Sequence, residues 1–441
     1  MGINDHFLFA FGSSFFVGYC SRFLFVFEAQ LLCTSLQGVC YFCVHIYQGF
    51  YNIVMKRIPK EEWSPGRIAW VRFRKDIWGM VALSLIMIVM LIAVLGSLIT
   101  PDSTPFANRQ MLELGTSKPG FQTQMIKIEG DIKNTDAGWF EKMIFGQKDS
   151  YTYIPLDAFY FSQDSIVIQT HRSDSIEDID FLSFSLVDVL GLMPSSSRQA
   201  QQTIIKLQQK VVDEHIVKKK FILGTDQFGR DMLSRLMIGA RVSLSVGFIS
   251  VFISLVIGIV VGSLGGYFRG RVDDAVVWII NVVWSIPTLL LVIAITFALG
   301  KGFWQVFIAV GLTMWVEVAR VVRGQMLGIR EKEFAEAAKA LGFGHFRIIF
   351  RHLLPNVMGP VIVISAANFA SAILIEAGLS FLGLGVQPPV PSWGSMIKEN
   401  YAFIILDAAF LAILPGLAIM LLVLSFMLVG NALRDALDIR Q

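Results

Sequence analysis

"EFAEAAKALGFGHFRIIFRHLLPN", residues 333–356, is a charged stretch set between two long apolar runs. It reads as helix, turn, helix. Glu333 to Leu341 is rich in strong helix formers, with alanine at 335, 337, 338 and 340. Gly342 is the expected left-handed cap that ends it. A second helical run, His345 to Leu354, is expected to stop at Pro355. Phe334, Ala337, Ala338 and Leu341 recur at helical spacing and make one narrow apolar face. Such a helix fits a groove on another protein. The plainer reading is a helix lying on lipid headgroups, held by Lys339, Arg347 and Arg351. The tight glycine turn favours the shaped, protein-binding element.

The flanking sequence says where this stretch sits. Of 441 residues, 54% are hydrophobic and 16% charged, with 36 Phe and 17 Met and a mean hydropathy of +0.62. A soluble chain carries about a quarter charged residues, so this is an integral membrane protein. The net charge of +3 is too small to suggest nucleic acid. A hydrocarbon layer of about 30 Å needs about 20 apolar residues per helix. Spans are expected at 78–99, 243–267, 276–299, 303–322, 357–384 and 408–430. Lys and Arg cluster before the first, between the second and third, between the fourth and fifth, and after the sixth. The positive-inside rule makes those four regions cytoplasmic, and six spans close without conflict. Gly258, Gly262 and Gly266 give the second span a stripe of small residues that allows close helix approach. Pro287 is expected to kink the third.

This topology puts residues 101–222 outside. "MIKIEG", "YTYIPL" and "SIVIQT" look like short strands and "SRQAQQTIIKLQQKVVDEHIVKKK" like an amphipathic helix, so a small inserted α/β domain is expected. Residues 1–54 are either an extension with an extra helix at 23–47 or a false start before Met55, with 55–100 as lead-in and first span. All four cysteines, at 20, 33, 40 and 43, fall in that extension. Its single CxxC lacks the second pair a zinc site needs. The six His are scattered without metal-ligand spacing, and GxxxxGK[ST], HExxH and GxSxG are absent. Energy for any work therefore comes from an ion gradient or a partner.

Several ionisable residues stand out. Glu376, with Ser380, lies in the apolar run "ASAILIEAGLSFLGLG", where a charge usually faces protein or water. It is read either as pathway lining or a gate, or as a structural carboxylate where Gly378, Gly383 and Gly385 break the helix. Glu317, Arg320 and Arg323 have helical spacing near the inner end of the fourth span. An anchoring pair between Glu317 and Arg320 is expected ahead of a pathway role for Glu317. Gly224, Thr225, Asp226, Gly229, Arg230 and Asp231 precede the second span. They read as a hydrogen-bonded cap or short interfacial helix ahead of a docking site. Trp393 in "PPVPSWG" reads as an interfacial anchor, with a pathway role as the alternative.

The opening stretch resembles the cytoplasmic loop of ABC importer permeases, E-A-A, three residues, G, nine residues, then I-x-L-P. Here Glu336, Ala337 and Ala338 are followed by Gly342 and by His352, Leu353, Leu354 and Pro355 at that spacing. His352 in place of Ile matches the oligopeptide/dipeptide branch, where "HLLPN" is common. "LGTDQFGRDMLSRLMIGARVSL" (223–244), "EAGLSFLGLGVQPPVPSWGSMI" (376–397) and "LRDALD" (433–438) resemble the same branch. The resemblance covers about 65–100 and 222–441, while 1–54 and 101–221 depart from it. It implies an α-helical polytopic inner-membrane protein. Its fold would be a six-helix type I ABC importer transmembrane domain carrying the inserted extracytoplasmic domain, with a five-helix permease core at 223–441 and a coupling loop at 324–356. It further implies a second homologous permease, two cytoplasmic ABC ATPases that bind ATP and Mg²⁺, and an extracytoplasmic peptide-binding protein. Glu336, Ala337, Ala338, Gly342, His352, Leu354 and Pro355 would carry the coupling. The chain itself would be no enzyme and hold no cofactor. Importers of nickel or another small solute share these motifs. A membrane-anchored binding or sensory protein built around 101–222 is the alternative from another class, and a gradient-driven transporter a third. The last would place ionisable groups in several helices.

Overall fold

The computed structural model describes residues 64–130, 138–147, 149–171, 181–191, 200–300 and 302–438. The chain divides into two compact units, Met1–Ile68 and Ala69–Gln441. The expected extra helix at 23–47, the four cysteines and the lead-in before residue 64 lie outside the described residues.

A short helix α1 (Pro65–Phe73) precedes the first span, α2 (Ile77–Ile99). Asp76 caps α2 by accepting from the amides of Trp78 (3.0 Å) and Gly79 (3.2 Å). The outer domain follows: β1 (Gln122–Glu129), α3 (Trp139–Phe145), β2 (Tyr151–Ser162), β3 (Ser165–Thr170), β4 (Phe181–Ser185), α4 (Ala200–Lys210) and β5 (Ile216–Lys220). The strands form one antiparallel sheet in the order β4-β3-β2-β1-β5. Its first three strands fall where the sequence suggests. β4 and β5 do not. The expected helix through 220 widens into a π-type turn at Val211–His215 and ends there, because 216–220 pair with β1 in register from Ile126↔Ile216 to Gln122↔Lys220. Exposed Lys218 and Lys220 protect this sheet edge from further pairing. One sheet face packs Ile126, Leu156, Ile166 and Ile168 against the turn Leu186–Val189 and Val211. The other buries Met125 with Met111, Leu114 and Phe221.

The membrane part then runs α5 (Met232–Phe268), α6 (Gly270–Trp284), α7 (Thr288–Leu299), α8 (Phe303–Ile329), α9 (Glu333–Ala340), α10 (His345–Phe381), α11 (Trp393–Asn400) and α12 (Phe410–Leu437). Among the described residues, five helices are long and apolar enough to cross a membrane, with a sixth crossing if α6 and α7 count together. The fourth and sixth helices run on past the expected spans, to Ile329 and Leu437, and three further features differ from expectation. The second span begins eleven residues before 243, at Met232, because Asp231 caps it by accepting from the Ser234 amide (2.9 Å). The third span is broken rather than kinked: α6 and α7 meet at 89° around Pro287. The helix after Gly344 does not stop at Pro355. It widens into a π-type turn at Ile348–Leu353 and continues to Phe381. Proline is tolerated where a new helical register starts, since its missing N–H falls among groups without an intrahelical partner.

α8 is the central span, 67% buried against 28–39% for the other four. The glycine stripe explains its seat. A Cβ at Gly258, Gly262 or Gly266 would lie 2.5 Å from Val318, the Ala319 carbonyl or Met326 respectively, so only glycine lets α5 and α8 meet backbone to backbone.

Candidate functional site

On the cytoplasmic side, α9 lies on its small residues. Ala335 and Ala338 are buried in one cluster with Val322 and Met326 of α8 and with Ile348, Ile349 and Leu353 of α10. The face anticipated from sequence is split. Ala338 turns inward with Ala335, while Phe334, Ala337 and Leu341 face out beside exposed Glu336. Phe346 and Phe350, tilted against each other with centroids 4.4 Å apart, extend that exposed surface. Gly342, at φ +76°, closes α9. Its amide donates to the Lys339 carbonyl (2.9 Å) and the Phe343 amide to that of Ala338 (3.2 Å), which is a Schellman turn. Phe343 is then gripped from both sides. His352 stacks on it at 5.5 Å and 10°, and the Arg347 guanidinium sits 4.3 Å from its centroid. So His352 holds the turn from within, Leu354 is half-buried and Pro355 is exposed.

Contacts that sequence alone did not reveal lock this surface to the membrane helices. The hydroxyl of Tyr267, at the end of α5, lies 2.8 Å from His345 Nδ1. Arg330 donates to the Tyr267 carbonyl. Arg323 donates to Asp273 (2.7 Å) across the α6–α8 interface. Arg269 pairs with Glu331 and holds that exposed carboxyl below its usual range. The signal for these pairs was present only as charge of both signs in the inner loops.

In the membrane layer, the break between α6 and α7 opens a cavity of about 330 Å³, lined by Trp284, Thr288, Thr313, Glu317 and Ser371 among others. The expected Glu317–Arg320 pair is absent. Arg320 instead stacks over Trp284, 3.2 Å from its centroid, which leaves Glu317 exposed to the cavity. Glu376 is not exposed there. It is fully buried and accepts from the Ser380 hydroxyl (2.7 Å). Gly378 lies inside the helix, and the turn that ends it is at Gly383, with φ +78°. Trp393 is no interfacial anchor. It is 3% exposed, donates from its indole to the Leu236 carbonyl (2.9 Å) and packs on Gly239. Burial costs an indole nothing in hydrogen bonding once its N–H has a partner.

Outside, the 224–231 segment forms a buried ionic knot. Asp226 accepts from the amides of Phe228 (2.9 Å) and Arg230 (3.0 Å), from Arg230 Nε (2.7 Å) and from Arg235. Glu399 of α11 closes it, bridging Arg230 (2.6 Å) and Arg235 (3.0 Å). Two cations face two carboxylates, which is what lets such groups stay buried. Thr225 accepts from the Ser117 amide (2.9 Å) and donates to the Leu114 carbonyl. Gly224 and Gly229 have positive φ, and a Cβ at either would overlap the Ser117 or Met111 carbonyl, so only glycine fits. The knot thus ties the strap at 108–117 to the start of α5 and to α11. Burial pushes the Asp231 carboxyl up.

Comparison with known proteins agrees with this architecture. Residues 254–441 match the model of the binding-protein-dependent transport system inner membrane component, and 64–113 that of the N-terminal transmembrane domain of oligopeptide transport permease C. The dipeptide transport system permease DppC of Alkalihalophilus pseudofirmus is 40% identical over 256 residues, 58% of this chain and 82% of that protein. The chain belongs to the oligopeptide/dipeptide branch of ABC importer permeases. The di/tripeptide permease DppC of Pseudomonas aeruginosa is 42% identical, over 50% of this chain and 72% of its own. The glutathione permease GsiD of Pectobacterium atrosepticum is 40% identical, over 49% and 71%. An inward-facing methionine transporter, MetNI, aligns at 20% identity and a TM-score of 0.40, over 47% of this chain and 97% of that one. As an ABC importer permease, the chain is a multi-pass inner-membrane transport subunit and not an enzyme. Membership implies ATPase and binding-protein partners.

Proposed function

We propose that this permease imports short peptides, coupled through α9 to two separate ABC ATPases that bind ATP and Mg²⁺. A second homologous permease completes the pathway, and an extracytoplasmic binding protein delivers the peptide. The observation that carries the reading is the two-sided character of α9. One side is locked by Ala335 and Ala338 to α8 and α10, and the other offers Phe334, Glu336, Ala337 and Leu341. A helix seated in this way moves as a rigid piece with what it is packed on. α10, 37 residues and about 55 Å long at 1.5 Å per residue, runs from that seat through its π-type turn to Ser371 in the cavity wall. Closure of an ATPase pair on α9 is thereby passed to the cavity as helix displacement. The peptide and glutathione named for the relatives support a peptide cargo.

Glu317 belongs to this pathway. α8 carries it five residues before the inner end of the expected span at 322, one turn from Arg320, and an exposed carboxylate at that depth faces water or protein and not lipid. The test is affinity purification of the tagged chain in mild detergent, native against Glu336→Ala and Gly342→Asp. Co-purified ATPase and coupled ATP turnover are expected for the native chain, with loss or uncoupling in either variant. Absence of an ATPase, or native behaviour of both variants, would sink the coupling role.

A further inference from the structure

We infer that α3 is a membrane-seated foot of the outer domain, lying in the interface of the outer leaflet with its aromatic face against lipid. Trp139, Phe140, Met143 and Ile144 occupy one arc of the helix, while Glu141 and Lys142 flank Phe145, 63% exposed, on the other. Trp139, Phe140 and Ile144 are 57%, 69% and 50% exposed. Five apolar side chains on a two-turn helix are a poor surface to show to water. They are the composition that interfacial helices use, with aromatic rings at headgroup level.

Depth selects lipid as the occupant. Arg241 of α5 donates to the Met143 (3.0 Å) and Ile144 (2.6 Å) carbonyls at the end of α3. The same guanidinium donates to the Ala93 (2.8 Å) and Val94 (3.3 Å) carbonyls of α2. Those residues lie five and six positions before Ile99, so about 8–9 Å inside the outer end of the span at 1.5 Å per residue. α2 itself is 23 residues, about 34 Å, little more than the apolar layer it crosses. One end of α3 is therefore held below the outer membrane surface. From Gly146 the chain returns outward, where the Gln147 amide donates to the Ser103 carbonyl (2.9 Å). α2, held to α3 through Arg241, shows apolar side chains of its own, with Leu91 and Val94 58% and 50% exposed. Arg241 also places a cation at the negative end of the α3 dipole. The loop that a plain importer would leave in water is thus stapled into the bilayer.

The test is nitroxide labelling of the full chain in nanodiscs, with Cys20, Cys33, Cys40 and Cys43 replaced by serine. Phe140→Cys is compared with Leu91→Cys as the lipid reference and Tyr160→Cys, on the exposed sheet, as the water reference. The relative accessibility to oxygen over a water-soluble nickel chelate is expected at Phe140 to match Leu91 and to exceed Tyr160 severalfold. A Tyr160-like ratio overturns the proposal, and so does a site closed to both reagents, which would mean that protein covers the helix. Adding Arg241→Gln is expected to move the Phe140 ratio toward the water value and leave that of Leu91 unchanged. No movement would overturn Arg241 as the tether.

Discussion

Gly342 and Gly229 share a left-handed backbone, at φ +76° and +70°, yet their surroundings predict different outcomes. Around Gly342 no atom lies within 4 Å of an added Cβ, whereas at Gly229 the Cβ would overlap the Met111 carbonyl. Gly342→Ala therefore meets only the intrinsic strain, about 1–2 kcal/mol, confined to an exposed turn. Its thermal midpoint in detergent is expected near native while ATP-coupled uptake falls. Gly229→Ala should fail by unfolding, with a much lower midpoint or no accumulated protein. Asp226→Ala should be as severe, about 3–5 kcal/mol, because it leaves two buried guanidinium groups with Glu399 as their one shared carboxylate. Glu399→Gln, at the more open end of the knot, should cost less. Lys219 adds a pH dependence. Its ammonium is pushed below the ordinary lysine range, first by burial and then by nearby Arg109. The folded state therefore releases this proton before the unfolded state does, so stability rises with pH between the lowered folded value and the unfolded one near 10.5. Lys219→Met should raise the midpoint at neutral pH and flatten that alkaline rise. An unchanged midpoint would show that the burial is relieved in solution.

At the scale of elements, the α5–α8 contact is the most sensitive. Gly262→Leu would drive a side chain into the Ala319 backbone and Val322, where overpacking costs about 1–3 kcal/mol or more. Loss of folded protein on size-exclusion chromatography is the expected result, and Gly324→Leu, where nothing lies within 4 Å, is its control. Which elements were legible follows from how local their causes are. The span positions, the glycine stripe and the Gly342 turn depend on neighbouring residues, and the sequence announces them. The continuation of α10 past Pro355 depends on a register change upstream. The 89° break falls at Pro287, which marks a bend in the sequence without giving its size. β5 reads as helix because "IVKKK" extends the charge pattern of α4, and only its pairing with β1 makes it a strand. Trp393 reads as interfacial because an indole at a span end usually is, and its partner at Leu236 lies 157 residues away. The site divides likewise. The residues of the α9 turn were named from their spacing, but the inward turn of Ala338, the clasp of Phe343 by His352 and the link from Tyr267 to His345 are tertiary.

For the whole molecule, the open matter is whether the outer domain is part of the permease or a guest on it. Its ends meet. The Phe221 amide donates to the Phe121 carbonyl (2.8 Å), and the Gly120 amide to the Phe221 carbonyl (2.9 Å). Insertion at such a point disturbs little of the host, because the chain leaves and returns at one place. The ionic knot, the strap at 108–117 and all the membrane spans lie outside 121–220. Replacing 121–220 by a short Gly-Ser link should therefore leave a folded core that still co-purifies with its ATPase. One cost is predictable. Met125 packs with Met111, Leu114 and Phe221, and removing it re-exposes their surface, at about 1.5–3 kcal/mol for each side chain fully uncovered. The midpoint should drop by several degrees, and Met111→Gln with Leu114→Gln in the excised chain should recover solubility without restoring stability. If the excised chain aggregates even with those changes, the sheet is a structural part of the permease, and its seat against the α2–α5 pair through Arg241 is needed for the bundle to assemble.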